Sequence, residues 1–248
     1  MHDRDPTTPH DLRQRLARDG FVFVDAEPMR TLIARAGPLS DWDRFAASWD
    51  DLALDTYLVD SGRFRRRRHG VFAATPTGTV QRLAHQPHYQ SRAYNSVYGG
   101  IERWFEPILD ELADGASLRT IIGFCAGLFG AAAAPSDEWR VEVHQFRIEA
   151  RPGEPGQPTP EGMHRDGVDF VLVLMIGRRN IASGTTTIHA PDGALLGSFT
   201  LAQPFDAALV DDARVLHGVT PVEALDASQP AHRDVLVLTF KARHVDAG

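Results

Sequence analysis

The 248-residue sequence predicts a mainly β protein in which a helix-rich N-terminal half precedes a sandwich or jelly roll. Two observations predict this fold class. Apolar residues recur at helical spacing in much of the chain before Pro135, whereas after it short alternating segments follow one another closely, separated by turns such as Pro191-Asp192-Gly193. Since we find no internal repeat and no low-complexity linker, we expect a single domain. In it, residues 1–135 form a helical buttress and residues 136–248 form the β core.

Helices and short extended segments are predicted to alternate in the first half. Leu12 and Leu16 share one face of a predicted helix over Pro9–Arg18, which ends at Asp19-Gly20. The other predicted helices are Met29–Ala36, Asp41–Trp49, Ile101–Leu112 and Leu118–Ala134. The last of these is apolar on nearly every side and is therefore expected to be buried. The predicted extended segments are Phe21–Val24, Arg63–Ala73 and Thr79–Leu83.

Short strands are predicted throughout the second half, with a Pro- and Gly-rich loop over Arg151–Gly162 after the first of them. The predicted strands are Arg140–Ala150, Val168–Ile176, Gly184–His189, Ala194–Thr200, Ala207–Val210, Val215–Thr220 and Arg233–Phe240. Many short strands joined by turns are typical of a sandwich or a jelly roll.

The composition is that of an ordinary globular protein. The apolar fraction is 43%, the charged fraction is 24% and the formal net charge is −7, so no overall field attracts nucleic acid. The single cysteine, Cys125, excludes an internal disulfide, and its apolar surroundings favour a buried packing residue. Residues 1–9 show no apolar leader segment, and no stretch is long enough to span a bilayer. We therefore expect a cytoplasmic protein that binds neither membrane nor nucleic acid.

Three residues form a candidate metal site. His164 and Asp166 flank one residue, and in an extended segment such positions project from the same face. His217 follows Asp166 after 51 residues (217 − 166 = 51) and is a candidate third ligand. Two imidazoles and one carboxylate on one face of an octahedral ion leave three positions open, the arrangement of non-haem Fe(II) oxygenases. A His-x-Asp tripeptide is common by chance, so the motif alone does not establish a metal site.

Arg233 opens the last predicted strand, on a face that it shares with Val235 and Val237. A guanidinium on such an apolar face is costly unless it meets an anion. Its planar fork suits a carboxylate that accepts two hydrogen bonds. The alternative is a structural salt bridge to an acidic side chain of the protein itself.

Several segments resemble a bacterial family of 2-oxoglutarate/Fe(II) dioxygenases that includes the L-isoleucine 4-hydroxylases, enzymes acting on free amino acids. The segments are Pro160–Phe170, Asn180–Gly184, Asp211–Pro221 and Arg233–Leu236. The strand His144–Ile148 and, more loosely, Arg65–Arg68, His88–Gln90 and Gly99-Gly100 also resemble that family. Ser183 departs from the pattern, because a glycine is more usual at its position.

The resemblance implies a double-stranded β-helix, a relative of the jelly roll. It implies that His164, Asp166 and His217 bind Fe(II), that Arg233 binds the C5 carboxylate of 2-oxoglutarate, and that O2 is the second co-substrate. The expected reaction is hydroxylation of an unactivated C–H bond in a free L-amino acid or a similar small derivative. A hydroxylase of a protein or carrier-bound residue, a non-catalytic metal-binding jelly roll and a zinc hydrolase stay open as alternatives. The oligomeric state stays open as well.

The strand Arg140–Ala150 supplies candidate substrate residues. We expect its face with Phe146 and Ile148 to pack on the helices because that face is mostly apolar. Gln145 and Arg147, on the other face, would then point into the barrel. There Arg147 is a candidate to bind a substrate carboxylate, and the alternative is a surface or structural ion pair.

Further residues have both a functional and a structural interpretation. Asp211 and Asp212 are candidates to orient the metal ligands, although a solvated turn explains them equally. Arg65–Arg68 is expected to be a partly solvated strand rather than a nucleic-acid patch, because the chain is acidic. His88 and Tyr89 either border the substrate pocket or are simply packed or exposed residues.

Overall fold

The computed structural model describes residues 6–57, 65–94, 99–132 and 138–243. The helices in this part of the chain are α1 (Pro9–Asp19), α2 (Ala26–Ala36), α3 (Trp42–Ala47), α4 (Asp110–Ala113) and α5 (Ala116–Gly130), with a 3₁₀ helix over Ser48–Asp51. The strands are β1 (Phe21–Val24), β2 (Ala53–Leu54), β3 (Arg65–Ala74), β4 (Val80–Arg82), β5 (His88–Tyr89), β6 (Glu102–Arg103), β7 (Glu138–Ala150), β8 (Phe170–Arg179), β9 (Ile181–Ser183), β10 (Thr186–His189), β11 (Leu195–Phe199), β12 (Ala207–Asp211), β13 (Leu216–Val219), β14 (Val222–Ala224) and β15 (Ala231–Arg243).

Two antiparallel sheets dominate the structure. The main sheet has the strand order β1-β12-β8-β15-β7-β3-β2, and β4 also pairs with β3. The second sheet has the order β11-β10-β13, and the pairs β14-β9 and β5-β6 complete the described strands. Side chains from both sheets line one cavity. The predicted double-stranded β-helix is therefore confirmed, and every strand predicted in the second half is present with its ends shifted by a few residues.

The two faces of the main sheet have different partners. One face packs against α1, α2, α3 and α5 and forms a continuous buried apolar cluster with them. Trp139, Leu172 and Leu236 are fully buried members of this cluster from β7, β8 and β15. Since side chains alternate along a strand, the residues next to these three on each strand point to the opposite face of the sheet. That face lines the cavity.

The register of the main sheet fixes which side chains meet on the cavity face. Arg233 of β15 lies opposite Ile148 of β7, and Ile148 lies opposite Arg65 of β3. The next inward row consists of Val235, Phe146 and Arg67. Neighbouring strands are spaced about 4.8 Å apart, so β15 and β3 are separated by about 10 Å. An apolar column on β7 therefore separates Arg233 from the arginines of β3.

α1 starts and ends at residues with clear capping roles. The Thr8 hydroxyl accepts a hydrogen bond from the Asp11 N–H, and the Asp11 carboxylate accepts one from the Thr8 N–H, each at 3.1 Å. Gly20 ends the helix with a φ of 80°, a left-handed conformation that glycine adopts without strain. The predicted end at Asp19-Gly20 is thus confirmed, and the chain turns there into β1, which pairs with β12.

The predicted helix over Ile101–Leu112 is wrong. The segment instead contains β6, an extended stretch and the short helix α4. Pro107 explains this result, because proline lacks an N–H and breaks a helix interior. The extended stretch runs beside His69, which donates to the Glu106 carbonyl at 2.9 Å and accepts from Ile108 N–H at 3.1 Å through its backbone.

The N-terminal half contributes strands as well as helices. β1, β2, β3 and β4 all belong to the main sheet. The helical part is therefore smaller than the predicted buttress over residues 1–135. The division into that buttress and a core over residues 136–248 stays a prediction, as does the single domain.

Cys125 lies on α5 and is buried. Burial raises the pKa of its thiol far above the usual range. This supports the packing role that the sequence predicts. Among the described helices, none combines the length and apolar character needed to cross a bilayer.

Candidate active site

The three candidate metal ligands converge at the cavity. His217 lies on β13, and His164, in the loop before β8, pairs with it through two backbone hydrogen bonds of 2.9 and 3.0 Å. His164 Nε2 lies 3.6 Å from Asp166 Oδ1, and His217 Nε2 lies 3.5 Å from Asp166 Oδ2. One donor atom from each residue lies within 4.8 Å of the other two. The structure thus brings together the residues that the spacing of the sequence selected.

This arrangement fits a divalent ion. Ligand bonds of about 2.1 Å at right angles place neighbouring donor atoms about 3.0 Å apart, so small side-chain shifts bring all three donors onto one ion. Two imidazoles and one carboxylate are the donor set of a 2-His-1-carboxylate iron site. The chemistry of the donors and their spacing therefore both fit Fe(II).

His164 and Asp166 shift the pKa values of each other. Burial opposes the charged form of His164, but the hydrogen bond and charge of Asp166 outweigh it and raise the His164 pKa to about 9. Burial likewise opposes ionisation of Asp166, but His164 and His217 hold the pKa of this carboxyl well below its usual range. A metal-bound imidazole must be neutral, so a divalent ion would displace the proton from His164.

Asp212 holds in place the segment from His164 to Val168, which carries two of the candidate metal ligands and which we call the ligand loop. Its buried carboxylate accepts hydrogen bonds from the backbone N–H groups of Asp166, Gly167 and Val168 at 3.0, 2.8 and 3.1 Å. Of the two aspartates that the sequence offered for orienting the ligands, Asp212 makes these contacts. The Asp211 side chain is half-buried and makes none of them.

Arg233 lies on the wall of the same cavity, near the start of β15. It is 2% exposed, and its Nε and Nη2 atoms are buried without a hydrogen-bond partner in the described part of the chain. Burial and the neighbouring Arg178 guanidinium lower the pKa of Arg233 to about 10. The structural salt bridge considered from the sequence is therefore not formed at these two nitrogen atoms. An unpaired, buried guanidinium is suited to an anionic ligand.

The predicted orientation of Gln145 and Arg147 is wrong. Gln145 is fully buried on the helical side and donates to the Ser48 hydroxyl at 2.9 Å. Arg147 binds the carboxylates of Asp234 and Asp50, with distances of 2.7 and 2.8 Å. Neither residue lines the cavity.

The reason for this error lies at the start of β7. The strand begins at Glu138, before the predicted start, and therefore includes Trp139. Trp139 joins Val141 and Val143 in the buried cluster against the helices, which makes the odd-numbered face the more apolar one there. The even-numbered residues Phe146 and Ile148 consequently line the cavity.

A buried cluster at the cavity, which we call the histidine cluster, was indicated by the sequence only through His88, the candidate pocket residue that the structure places on the cavity wall. It consists of His69, His88 and His144 around Glu142. The Glu142 carboxylate accepts hydrogen bonds from His88 Nδ1 at 2.6 Å and His69 Nε2 at 3.3 Å. Burial lowers the pKa of His69 to about 4 and also lowers those of His88 and His144, so the imidazoles are neutral. The alternating Glu142 and His144 on β7 are a further sequence signal that could have indicated this cluster.

The ligand atoms of the histidine cluster lie within 4.8 Å of one another, close enough to hold a metal ion, but the hydrogen bonds of the cluster oppose that role. Arg67 Nη2 lies 2.7 Å from His144 Nδ1, and since a guanidinium only donates, this nitrogen must be the acceptor. The neutral His144 ring then carries its proton on Nε2, the atom that faces Glu142. The buried Arg67 cation also repels a metal ion. We therefore describe this cluster as a hydrogen-bonded support of the cavity wall.

The family model for 2OG-Fe dioxygenases matches residues 46–239 of the chain. The chain belongs to the 2OG-Fe dioxygenase family. The dioxygenase is therefore an oxidoreductase that uses Fe(II), 2-oxoglutarate and O2. The match confirms the family resemblance seen in the sequence and the metal and co-substrates that it implies.

Two relatives of the dioxygenase are named for activities on isoleucine or its hydroxylated form. It is 27% identical over 234 residues to the 3(1)-hydroxy-L-isoleucine 4-dioxygenase of Pantoea ananatis, covering 91% of this chain and 93% of that protein. It is 28% identical over 156 residues to the L-isoleucine-4-hydroxylase of Bacillus thuringiensis, covering 62% of this chain and 64% of that protein.

Solved structures show the same fold. A BsmA homologue from Methylobium petroleophilum superimposes on the dioxygenase with a TM-score of 0.87 and 39% identity, covering 98% of this chain and 96% of that chain. The IDO of Bacillus thuringiensis superimposes with a TM-score of 0.78 and 18% identity, covering 95% and 100% of the two chains.

Proposed function

We propose that the dioxygenase hydroxylates a free L-amino acid, with His164, Asp166 and His217 holding the iron and Arg233 binding the distal carboxylate of 2-oxoglutarate. One observation carries the proposal. The three ligands and a buried guanidinium without partners at Nε and Nη2 line a single cavity. A site that only held a metal has no use for such a guanidinium, which argues against the non-catalytic metal-binding jelly roll.

The chain's own residues bind and orient the reactants. Arg233 provides a fixed fork for a carboxylate, and Asp212 keeps the ligand loop at a constant position relative to it. Bound iron and 2-oxoglutarate supply the oxidising power that inserts one oxygen atom of O2 into a C–H bond, with succinate and CO2 as the other products.

The walls of the cavity limit access of water. Val171, Val173, Val235 and Val237 line it with apolar surface, and Ile188 does so from the second sheet. Such a wall offers no hydrogen bonds, so it favours the aliphatic part of a small substrate over bulk water.

Two arguments support a free amino acid as substrate. Two relatives are named for activities on isoleucine or hydroxyisoleucine. The cavity combines apolar walls with charged side chains that include Arg67, Arg103 and Glu161, a combination suited to a small zwitterion with an aliphatic side chain.

The proposal is tested in two steps. First, anaerobic addition of Fe(II) and 2-oxoglutarate should produce the visible charge-transfer band of the chelate, and His217→Ala should abolish it. Second, a panel of free L-amino acids is scored for succinate formation and for a mass gain of one oxygen atom. Absence of the band would overturn the assignment of the iron ligands. A band without succinate formation above background for any amino acid would overturn the proposed substrate class.

A further inference from the structure

We propose that Arg103, with Arg67 beside it, binds the carboxylate of the substrate, at the opposite side of the cavity from Arg233. This inference rests on the proposed function, because it specifies how that substrate is held. It also replaces Arg147, the residue that the sequence offered for the same role.

Arg103 is a buried cation whose guanidinium carbon lies 5.9 Å from the centroid of the Phe105 ring. It is 3% exposed and lines the cavity. Its Nε has no hydrogen-bond partner, and within the described part of the chain the guanidinium forms no ion pair. A buried guanidinium without a direct ion pair is costly to the free protein, so a bound anion is a suitable partner.

The carboxylates whose charges reach Arg103 are those of Asp55, Glu161 and Glu142, and each of them already lies close to another basic side chain. The buried Asp55 carboxylate lies 3.1 Å from Arg65 Nε and 3.6 Å from Arg67 Nη1, so two guanidinium groups share one acid. Arg67 also donates to His144, but its Nε is buried without a partner. Burial lowers the pKa of Arg103, and the charge of Arg65 lowers it further. An incoming carboxylate would offset the repulsion from Arg65 and give the buried guanidinium a direct ion pair.

Aromatic rings hold Arg67 in position. Its guanidinium carbon lies 3.5 Å from the centroid of the Phe105 ring and 4.5 Å from that of Phe146. Such contacts fix a guanidinium without using its N–H groups as salt-bridge donors. The Nε–H of Arg67 therefore stays available for a ligand next to Arg103.

Arg103 also lies on a segment that reaches the metal ligands. In the β5-β6 pair it lies opposite His88, and Gln90, two residues further on, donates to Asp166 Oδ1 at 3.3 Å. A carboxylate at Arg103 would thus be held by the same short segment that contacts the metal site. The co-substrate anchor Arg233 and the β3 arginines lie on opposite sides of β7, so two carboxylates can be bound at once without competing.

The ligand chemistry that fits this site is a small molecule with one carboxylate and an aliphatic body. The test compares free L-amino acids with the carboxamides of those that promote succinate formation. The wild-type enzyme should prefer the acid over its amide by about 100-fold in kcat/KM, because the amide cannot accept charge-assisted hydrogen bonds.

The matched variants are Arg103→Met, Arg103→Lys and Arg44→Met, the last a control at a side chain 63% exposed on α3. Arg103→Met should raise the KM for the amino acid by about 100-fold and reduce the preference over the amide to within a few-fold. The KM for 2-oxoglutarate should change by less than about threefold, since Arg233 is untouched. Arg103→Lys should have an amino acid KM between those of the wild type and Arg103→Met, and Arg44→Met should have the KM values of the wild type.

Thermal unfolding separates a ligand-binding role of Arg103 from a structural one, since a structural role predicts that Arg103→Met lowers the unfolding temperature. If Arg103 serves the ligand, Arg103→Met should unfold at the same or a higher temperature than the wild type in the absence of substrate. An unchanged amino acid KM in Arg103→Met, or equal use of acid and amide by the wild type, would overturn this inference alone. If no free amino acid promotes succinate formation, the proposed function fails and this inference fails with it. If Arg103→Met does not fold, the Arg103→Lys kinetics and the wild-type comparison of acid with amide decide the matter.

Discussion

Replacing Arg233 by methionine tests the central claim about the co-substrate. Methionine keeps an unbranched chain but removes the charge and all N–H groups. Because the guanidinium is 2% exposed and lacks partners at Nε and Nη2, the free protein should lose little by the change. The complex with 2-oxoglutarate should lose its anchor.

The magnitude of the stability effect follows from the pKa. Burial and Arg178 lower the Arg233 pKa from 12.5 to about 10. At about 1.4 kcal/mol per pKa unit, keeping this group charged at pH 7 costs the folded state about 3 kcal/mol. Arg233→Met should therefore raise the free energy of unfolding of the ligand-free protein by about 1–3 kcal/mol. For a chain of this size, that corresponds to a rise in Tm of about 2–12 °C.

Binding of 2-oxoglutarate should move in the opposite direction. Removing one partner of a buried, hydrogen-bonded charge pair costs about 2–5 kcal/mol, so the Kd should rise by a factor of roughly 30 to 5,000. The assay is anaerobic calorimetric titration of the Fe(II)-loaded protein with 2-oxoglutarate, together with thermal unfolding of the ligand-free protein.

Arg178→Met is the matched control. Arg178 donates to the carbonyl oxygens of Ile181 and Ser183. The loss of these two hydrogen bonds should outweigh the relief of the repulsion between Arg178 and Arg233, so Arg178→Met should lower the Tm. It should affect the 2-oxoglutarate Kd far less than the loss of Arg233. If Arg233→Met lowers the Tm as Arg178→Met does and binds 2-oxoglutarate within threefold of the wild type, Arg233 is a structural residue and the reasoning is wrong.

Three further predictions concern the ligand loop, acid stability and one strained turn. Asp212→Asn should weaken Fe(II) binding by about 10- to 100-fold in a metal titration, because an amide cannot accept three backbone N–H groups, whereas an equal loss in Asp211→Asn would contradict this role. The pKa values of His69, His88 and His144 are lowered in the fold, so the unfolded state binds more protons below pH 6.5. His69 alone, whose pKa is lowered to about 4, should reduce the stability by about 1.4 kcal/mol per pH unit from pH 6.5 towards pH 4, and His88 and His144 should add to this loss. Urea unfolding that is unchanged from pH 6.5 to 5 would be inconsistent with this prediction. Ser183 has a φ of 63°, so Ser183→Gly should stabilise the protein by up to about 1 kcal/mol, and a lower Tm would count against this.

Local patterns in the sequence were sufficient to predict much of the fold. Alternation along Arg233–Phe240 correctly separates the cavity face, with Arg233 and Val235, from the helical face, with Leu236. The same rule applied to β7 gave the wrong face because the predicted strand omitted Trp139. A single aromatic residue at a strand end can thus reverse the assignment of a face. Ile101–Leu112 failed for a different reason, since apolar spacing alone takes no account of Pro107.

The remaining site residues depend on pairing between distant strands. Arg65 and Arg67 alternate with Arg66 and Arg68, so the sequence divides this run between two faces. It does not say which face is buried. That depends on the register of β3 against β7, which brings Arg67 opposite Phe146. Likewise Arg103 reaches the cavity only because β6 pairs with β5. Contacts of this kind leave no local signal in the residues themselves.

The register across β15, β7 and β3 limits how substrate length can change. An inward-facing arginine can be moved along a strand only two residues at a time, about 6.7 Å, and between strands only in steps of about 4.8 Å. One methylene group is much shorter than either step. Relocating a carboxylate anchor therefore cannot separate one homologous substrate from the next. Such discrimination falls to the bulk of the side chains between the anchors, of which Ile148 and Phe146 are the nearest.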